Sequence, residues 1–453
     1  MNRSFLIKNG NIVNEGRIAK ADVLICNEVI EDIGYNVSTN GNDYNVIDAA
    51  GKYLFPGVID AHVHFREPGL THKGDIYSES KAAAAGGVTS FFDMPNTIPN
   101  TLRMEEMEKK NRLAAQHSFI NYAFFVGVNR QNADEVVKQS RAGICGITDD
   151  GLYFSGTGNL LAEQPAMLEK IFKGCDNIIA IHSEKESLIE KNENHYRQLF
   201  GDNIPVKYHP LIRSEEACVS ATKDLIALAQ QHSARLHILH VTTGAEAKLF
   251  RNDIPLNQKK ITAEASIPHL WFCDEDYDRL GTLIKCNPAV KTTNDREELL
   301  QALLNDRIDI ITTDHAPHTA GEKDNTYFSA PSGIPMVQHS LTIMLELHHR
   351  GRISLEKIAE KMSHNPAILY GVKNRGFIRR GYKADIAIVD LNAAWKVGKE
   401  NILYKCGWSP LEGQTFQSKV ICTLVNGNIV FENGKIKGKL YGEQLEFESS
   451  YNK

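Results

Sequence analysis

The chain has 453 residues, 42% of them hydrophobic, and this length suits one large α/β domain with a smaller companion. Its formal net charge of −5 gives no electrostatic reason to expect a nucleic acid or an anionic membrane as a partner. The sequence shows neither an apolar run as long as a membrane span nor an N-terminal secretory signal, so we expect a cytoplasmic enzyme that acts on a small molecule.

Both ends of the chain carry an Asn-Gly pair between β-prone residues, within residues 7–13 and 424–430. Such pairs are typical of β-hairpin turns. Further β-prone stretches lie beside them at residues 21–34 and 377–390. We therefore expect the two termini to meet in one small β-sandwich, with two unrelated hairpins as the alternative.

Eight short apolar or β-branched runs follow one another through the middle of the chain, with amphipathic helical stretches between or after them. This alternation is typical of a (β/α)8 barrel of the TIM type, an α/β fold. The predicted strands comprise residues 58–62, 89–94, 121–127, 146–148, 178–182, 235–240, 261–265 and 309–313. The predicted helices include residues 103–117, 214–232, 295–304 and 334–350. The expected domain bounds are 56–371 for the barrel, and 1–55 and 372–453 for the two parts of the sandwich.

The polar stretch at residues 185–210 is longer than an ordinary loop between a strand and a helix. Barrels place such insertions over one of their two mouths. We expect this segment to pass over one mouth of the barrel.

Histidines and aspartates recur at the carboxyl ends of the predicted strands, where barrel enzymes assemble their active sites. In chain order they are His62, His64, Asp149, Asp150, His182, His240 and Asp314. Side chains two apart on a strand share a face, so His62 and His64 can bind one cation. Imidazoles with carboxylates and without thiolates favour Zn²⁺, with Mn²⁺ or Co²⁺ as alternatives.

Either one or two metal ions fit this number of ligands. With two ions, His62 and His64 would hold the more buried ion together with Asp314. His182 and His240 would hold the second, and one carboxylate would bridge the pair. Such a centre would lower the pKa of a bound water enough to make it a nucleophile near neutral pH.

Five local sequences together resemble one enzyme family, the dihydroorotases of the bacterial type within the amidohydrolase superfamily. They are PGVIDAHVHFREPG (residues 56–69), FFDMPNTIPNT (91–101), KCNPAVK (285–291), TTDHAPHT (312–319) and APSG (330–333). The resemblance spans the whole barrel. It implies a zinc enzyme that reversibly converts N-carbamoyl-L-aspartate to L-dihydroorotate plus water, a step of pyrimidine (UMP) biosynthesis.

The resemblance also implies roles for individual residues. The implied metal ligands are His62, His64, His182, His240 and Asp314, and Asp314 is also the implied catalytic acid and base. The implied substrate-binding residues are His64, Arg66, Asn96 and His318, of which the last three hold the substrate carboxylate, and Asn287, Ser332 and Gly333 beside the ring. His269 is expected to support the site from outside the ligand set.

The motif after the fourth predicted strand departs from many members of the family. Those relatives carry a lysine there, carbamylated so that it bridges two metal ions. Here the motif reads GITDDGLYFSGTGN from Gly146, with Asp150 in the place of the lysine. Another branch of the family has the same DDG, with its second aspartate as a ligand. Asp150 is therefore the expected bridging carboxylate, and Asp149 is the alternative.

Two other functions remain open at this point. One is a related cyclic amidohydrolase, namely a hydantoinase, dihydropyrimidinase or allantoinase, whose ring substrate lacks the carboxylate. Arg66 and Asn96 argue against it. The other is an inactive homologue with a structural role, which the intact Asp314 disfavours. The oligomeric state is also open, with a homodimer as one alternative.

Overall fold

A computed structural model describes residues 4–38, 44–138, 143–149 and 161–448 of the chain. These residues form a parallel barrel and a separate sheet built from both ends of the chain. Within the same ranges, no helix combines the length and the apolar character that crossing a membrane requires.

The strands fall into three groups along the chain. Before the barrel come β1 (Ser4–Asn14), β2 (Arg17–Cys26), β3 (Val29–Gly34), β4 (Asn45–Asp48) and β5 (Tyr53–Pro56). The barrel comprises β6 (Val58–Val63), β7 (Val88–Asp93), β8 (Asn121–Gly127), β9 (Gly146–Thr148), β10 (Ile179–Ile181), β11 (Leu236–Ile238), β12 (Ile261–Ser266) and β13 (Ile310–Thr312). After the barrel come β14 (Ile386–Asp390), β15 (Trp395–Lys396), β16 (Thr415–Phe416), β17 (Lys419–Val425), β18 (Asn428–Glu432) and β19 (Lys435–Ile436).

Helices alternate with the barrel strands. Those of ten or more residues are Ile76–Ala85, Met104–His117, Pro165–Gly174, Glu186–Phe200, Glu215–His232, Thr293–Leu304 and Ser340–His349. The shorter α-helices are Ala133–Lys138, His209–Ile212, Gly244–Ala247, Ile267–Trp271, Tyr277–Leu280, Ala320–Lys323, Leu355–Ala359 and Asn365–Tyr370.

The eight strands β6–β13 pair in parallel and in sequence order, which confirms the predicted barrel and each of its predicted strands. The barrel is nearly closed, because the His64 amide after β6 donates to the His315 carbonyl after β13 at 2.8 Å. Apolar side chains such as Ile59 and Phe92 fill the interior, and Tyr370 packs edge-on against Phe92. The strands are buried on both faces, which is why they appear in the sequence as continuous apolar runs.

Three of the four predicted helices form close to their predicted bounds, and polar caps begin two of them. Ser214 accepts the Ala217 amide, and Thr292 exchanges hydrogen bonds with Asp295 in a capping box.

The helix expected at residues 334–350 begins only at Ser340, after a short 3-10 turn at Val337–His339. The Ala316 amide donates to the Ile334 carbonyl at 3.1 Å, and the Met336 amide donates to His315 Nδ1 at 3.0 Å. Residues 334–336 therefore bond to the segment after β13 instead of entering the helix.

The two ends of the chain do meet, as expected. Nine strands join in one sheet, in the order β19-β18-β17-β14-β5-β1-β2-β3, with β4 beside β1. Its core contains Ile7, Val23, Leu54, Ile386 and Leu424. The predicted Asn-Gly hairpin near the C-terminus is present, since Asn426 and Gly427 connect β17 and β18 with φ angles of 48° and 69°.

The hairpin expected at residues 7–13 is wrong. Asn9 and Gly10 lie inside the continuous strand β1 and form a bulge, where the pairing register with β2 shifts. Asn9 has φ 62°, and a Cβ on Gly10 would lie 2.4 Å from the Leu54 side chain. The turn comes later, at Glu15 and Gly16, whose φ angles are 51° and 73°. Bulges and hairpin turns both favour residues that tolerate positive φ, so the dipeptide alone does not distinguish them.

The polar segment after β10 folds into the helix Glu186–Phe200 and the short helix His209–Ile212. Its apolar residues Ile189, Ile204 and Ile212 cluster with Tyr327, which belongs to the loop after β13. His209 is buried and bonds to Tyr327 Oη and to the Cys286 carbonyl, both at 2.8 Å. The segment therefore packs at the carboxyl-end mouth of the barrel, against the loops that follow β12 and β13.

Candidate metal centre

Four histidines and one aspartate converge at the carboxyl ends of four barrel strands. His62, His182 and His240 offer ligand atoms within 4.8 Å of one another, and so do His62, His64 and Asp314. All five side chains are buried. Because both groups share His62, the arrangement can hold one ion or two adjacent ions.

Three residues of this region have left-handed backbone conformations. The φ angles are 69° at Arg66, 32° at His240 and 47° at Asp314. Such a conformation costs an L-residue other than glycine about 1–2 kcal/mol. Strain of this kind is concentrated at functional sites, where the surrounding structure enforces it.

The buried carboxylate of Glu264 bonds to three histidines. His62 Nδ1 donates to Glu264 Oε1 at 2.6 Å, His237 Nε2 donates to Oε2 at 3.2 Å, and the His240 amide donates to Oε1 at 3.2 Å. Burial raises the pKa of Glu264, but His62 and His237 outweigh it, and the net pKa is well below its usual range. The ionised carboxylate only accepts, so His62 carries its proton on Nδ1 and turns the Nε2 lone pair into the site.

Two further contacts orient the other rings in the same way. His182 Nδ1 bonds to Asp149 Oδ1 at 2.8 Å, and His64 Nδ1 bonds to Asn96 Oδ1 at 2.8 Å. Because Nδ1 makes each of these contacts, Nε2 is the atom of each ring that could bind a metal ion. Asp149 is 1% exposed and thus acts on His182 as an orienting group.

The donor set fits a metal ion. Among the described residues, His62 Nε2, His240 Nδ1 and Asp149 Oδ2 are buried without a hydrogen-bond partner. A buried polar atom left in this state costs about 1–3 kcal/mol. His64 Nε2 also lies 3.0 Å from Asp314 Oδ1, so two acceptor atoms face each other and need a cation between them. A metal ion would satisfy the two histidine nitrogens and Asp314 together.

The charge states of Asp314 and His240 also favour a bound metal ion. Burial raises the pKa of Asp314, but His62 and His64 outweigh burial and hold this pKa below its usual range. Burial and the neighbouring His182 lower the pKa of His240 well below its ordinary value. Asp314 is therefore an ionised acceptor and His240 a neutral imidazole, the forms in which both residues bind metals.

A cavity opens directly above this cluster. Its lining consists of His64, Arg66, Asn96, His182, His240, Asn287, Asp314, Ala316, Ser332 and Gly333. Ser332 Oγ donates to Asn287 Oδ1 at 2.9 Å. A Cβ on Gly333 would lie 2.4 Å from the Ala316 carbonyl oxygen, so this wall requires a glycine.

Arg66 lines one side of the cavity, and His318 and Lys73 lie behind it. Arg66 is 5% exposed and donates from Nε to the Pro317 carbonyl at 3.1 Å. Its Nη2 lies 3.2 Å from His318 Nε2, and Lys73 Nζ lies 3.1 Å from His318 Nδ1. Burial, then Arg66 and Lys73, lower the pKa of His318 well below its ordinary value. Lys73 also pairs with Glu322 at 3.1 Å. The buried guanidinium of Arg66 beside a neutral imidazole therefore makes this side suited to an anionic group.

The structure brings the predicted ligands and substrate-binding residues to one mouth of the barrel, with one exception. Asp150 lies outside the described residues, so its bridging role stays a prediction. His269 bonds to Ser266 Oγ at 2.7 Å and to the Pro288 carbonyl at 3.0 Å. It thereby ties the end of β12 to the loop that carries Asn287.

Sequence reasoning missed Glu264 as part of this site. A signal was available, because Glu264 is the one charged residue in the β-prone run ITAEASIP (residues 261–268). A carboxylate inside a fully buried strand needs a partner, and its histidine partners identify it as a support of the centre.

The chain is similar to several known proteins. The amidohydrolase family matches residues 53–430. A dihydroorotase from Clostridioides difficile (strain 630) is 34% identical over 432 residues, which cover 94% of this chain and 99% of that protein. An allantoinase from Bacillus velezensis is 31% identical over 434 residues, covering 95% and 94%. The solved structure of an L-hydantoinase (dihydropyrimidinase) from Arthrobacter aurescens has a TM-score of 0.90 at 25% identity, covering 98% of this chain and 99% of that one.

Proposed function

We propose that this chain, which belongs to the amidohydrolase family and is a hydrolase of cyclic amides, is a dihydroorotase. Such an enzyme interconverts L-dihydroorotate and N-carbamoyl-L-aspartate in pyrimidine biosynthesis. The observation that carries the proposal is the buried Arg66 beside His318, in the same cavity as the metal-binding cluster. Dihydroorotate has a carboxylate on its ring, and such a group matches these donors. The similarity to curated dihydroorotases supports the same substrate.

We propose Zn²⁺ as the metal, held by His62, His64, His182, His240 and Asp314, with Asp150 as the bridging carboxylate. The ions would supply a Lewis acid and a water of lowered pKa. A cytoplasmic location and a small-molecule substrate, with neither a nucleic acid nor a membrane as a partner, belong to the same proposal.

The protein's own residues supply binding and proton transfer. Arg66, Asn96 and His318 hold the substrate carboxylate, and Asn287, Ser332 and Gly333 contact the ring. As the water oxygen bonds to the ring amide carbon, Asp314 accepts the water proton. When the C–N bond breaks, Asp314 returns this proton to the departing nitrogen, and ring closure reverses these steps.

A neutral ring is the second candidate substrate. The similarity to an allantoinase and to a solved L-hydantoinase favours it. Hydantoin, dihydrouracil and allantoin lack the carboxylate, and would therefore leave Arg66 and His318 facing no anion in the closed site.

The deciding experiment measures turnover of dihydroorotate, hydantoin, dihydrouracil and allantoin with one preparation whose metal content is determined. We expect the highest kcat/KM for dihydroorotate and at least one zinc ion per chain. A higher kcat/KM for a neutral ring would replace the proposed substrate. Metal-loaded protein without any turnover would instead indicate an inactive homologue.

Replacing Arg66 by Met tests the carboxylate contact itself. The loss of a charge-assisted fork to a desolvated carboxylate should reduce kcat/KM for dihydroorotate by the equivalent of about 2–5 kcal/mol. Arg66→Lys, which keeps the charge but loses the fork, should lie between this variant and the wild type. Residual activity on neutral rings should change little. An equal loss on both kinds of ring would make Arg66 a structural residue.

A further inference from the structure

The side chain of Lys323 lies wholly buried behind the cavity wall, with 0% exposure. Its Nζ donates to three backbone carbonyls, those of Lys285 at 3.0 Å and of Pro331 and Gly333 at 2.9 Å each. An ammonium group has three N–H donors. The three acceptors therefore match its hydrogen-bonding capacity completely.

These contacts join two loops that line the cavity, the Asn287 loop and the Ser332–Gly333 loop. Lys285 precedes Asn287 by two residues, and Pro331 and Gly333 flank Ser332 on either side. Lys323 itself ends the short helix Ala320–Lys323, which follows directly after His318 and Thr319. One side chain thus links the segments that contain the carboxylate-facing and ring-facing groups.

A backbone hydrogen bond joins the same two loops. The Gly333 amide donates to the Lys285 carbonyl at 2.9 Å, so this carbonyl accepts from both Gly333 and Lys323. Lys285 in turn donates from Nζ to the carbonyls of Tyr327 and Ala330. Two lysines therefore fix the path of the loop between residues 323 and 333.

The partners of Lys323 differ from those of an ordinary buried lysine. Lys361, which is equally buried, pairs with the carboxylate of Asp306. Within the described part of the chain, Lys323 has no such ion pair, and burial lowers its pKa to about 7. The three backbone carbonyls are instead the partners of its N–H groups, and they explain why a lysine is buried at this point of the wall.

We propose that Lys323 is a positioning residue that sets the distance between the Asn287 loop and the Ser332–Gly333 loop, and so determines how tightly the cavity holds the substrate ring. The inference rests on the proposed function, in which Asn287, Ser332 and Gly333 contact the ring. Lys323 does not contact the metal-binding cluster in the described structure, so its effect should fall on substrate binding.

The test compares Lys323→Met, which has no donor, and Lys323→Gln, which keeps two donors, with the wild type on dihydroorotate. We expect KM to rise by roughly tenfold or more in Lys323→Met, because the three carbonyls lose their shared donor and the two loops are no longer held together, with kcat within about threefold. Lys323→Gln should be intermediate, and metal content should not change. Lys361→Met is the matched control, since Lys361 bonds to the Ile308 carbonyl just before β13 at the other end of the barrel. It should keep the wild-type KM even if it lowers stability.

Amide hydrogen exchange gives a readout that does not depend on activity. We expect the peptide that contains Gly333 to lose protection in Lys323→Met and to keep it in Lys361→Met. An unchanged KM together with unchanged protection would overturn the inference, and so would equal effects in the two methionine variants. A wild-type protein that does not turn over dihydroorotate would refute the proposed function instead. The exchange experiment would still test whether Lys323 holds the two loops together.

Discussion

At the scale of single residues, the centre depends on carboxylates that do not themselves enter the cavity. Glu264 bonds to His62, to His237 and to the backbone of His240. It is 0% exposed and ionised, so it fixes both the orientation and the tautomer of His62. Asp149 likewise orients the His182 ring through its contact with Nδ1.

We therefore predict that Glu264→Gln weakens metal binding by about 10- to 100-fold, the usual cost of losing such a support. The amide can accept from only one of the two rings, and its NH₂ group faces a donor. Competition with a chelator measures the affinity directly. Glu246→Gln is the control, because Glu246 is also buried but bonds to Thr222 and Thr242. Equal metal affinities in the two variants would show that Glu264 does not support metal binding.

At the scale of elements, two Asn-Gly turns in the terminal sheet share one backbone geometry but differ in their surroundings. Asn426 and Gly427 connect β17 to β18, and Asn433 and Gly434 connect β18 to β19, all with positive φ. A Cβ on Gly427 would lie 2.1 Å from the Asn27 carbonyl oxygen, whereas a Cβ on Gly434 would meet nothing within 4 Å.

Gly434→Ala should cost only the left-handed backbone penalty of about 1 kcal/mol. Gly427→Ala adds the clash with the turn between β2 and β3, which we expect to cost about 1–3 kcal/mol more. The midpoints of urea denaturation of the two variants measure this difference. Equal midpoints would mean that the two hairpins move apart without cost.

At the scale of the whole molecule, one buried aspartate joins the barrel to the terminal sheet. Asp385 accepts from Asn121 at the start of β8, from Arg375, and from the Asn426 amide in the turn after β17. It is 5% exposed. The stability of both parts therefore depends on one ion pair and its hydrogen bonds.

Asp385→Ala should lower the free energy of unfolding by about 3–5 kcal/mol, because it leaves Arg375 buried without its closest anion. Asp253→Ala removes the partner of Arg251 in an exposed pair and should leave the free energy of unfolding close to that of the wild type. Urea denaturation followed by circular dichroism compares the two variants. Similar losses of unfolding free energy in the two variants would show that Asp385 does not couple the barrel to the terminal sheet.

The sequence by itself determined the barrel, its eight strands and the residues at their carboxyl ends. The reason is that strands buried on both faces appear as apolar runs, and parallel strands place their carboxyl ends at one mouth. The family resemblance then suggested a function for His62, Arg66 and Asp314 that no periodicity could provide.

Only the tertiary structure decided the contacts between residues far apart in the chain. Asn9 and Gly10 suit a bulge as well as a turn, and the packing of Leu54 makes them a bulge. Likewise, the sequence shows Glu264 and Lys323 only as charged residues. Their distant partners, His62 for Glu264 and the Lys285 carbonyl for Lys323, come close only when the barrel forms, because hydrogen bonds depend on distances that local sequence does not encode.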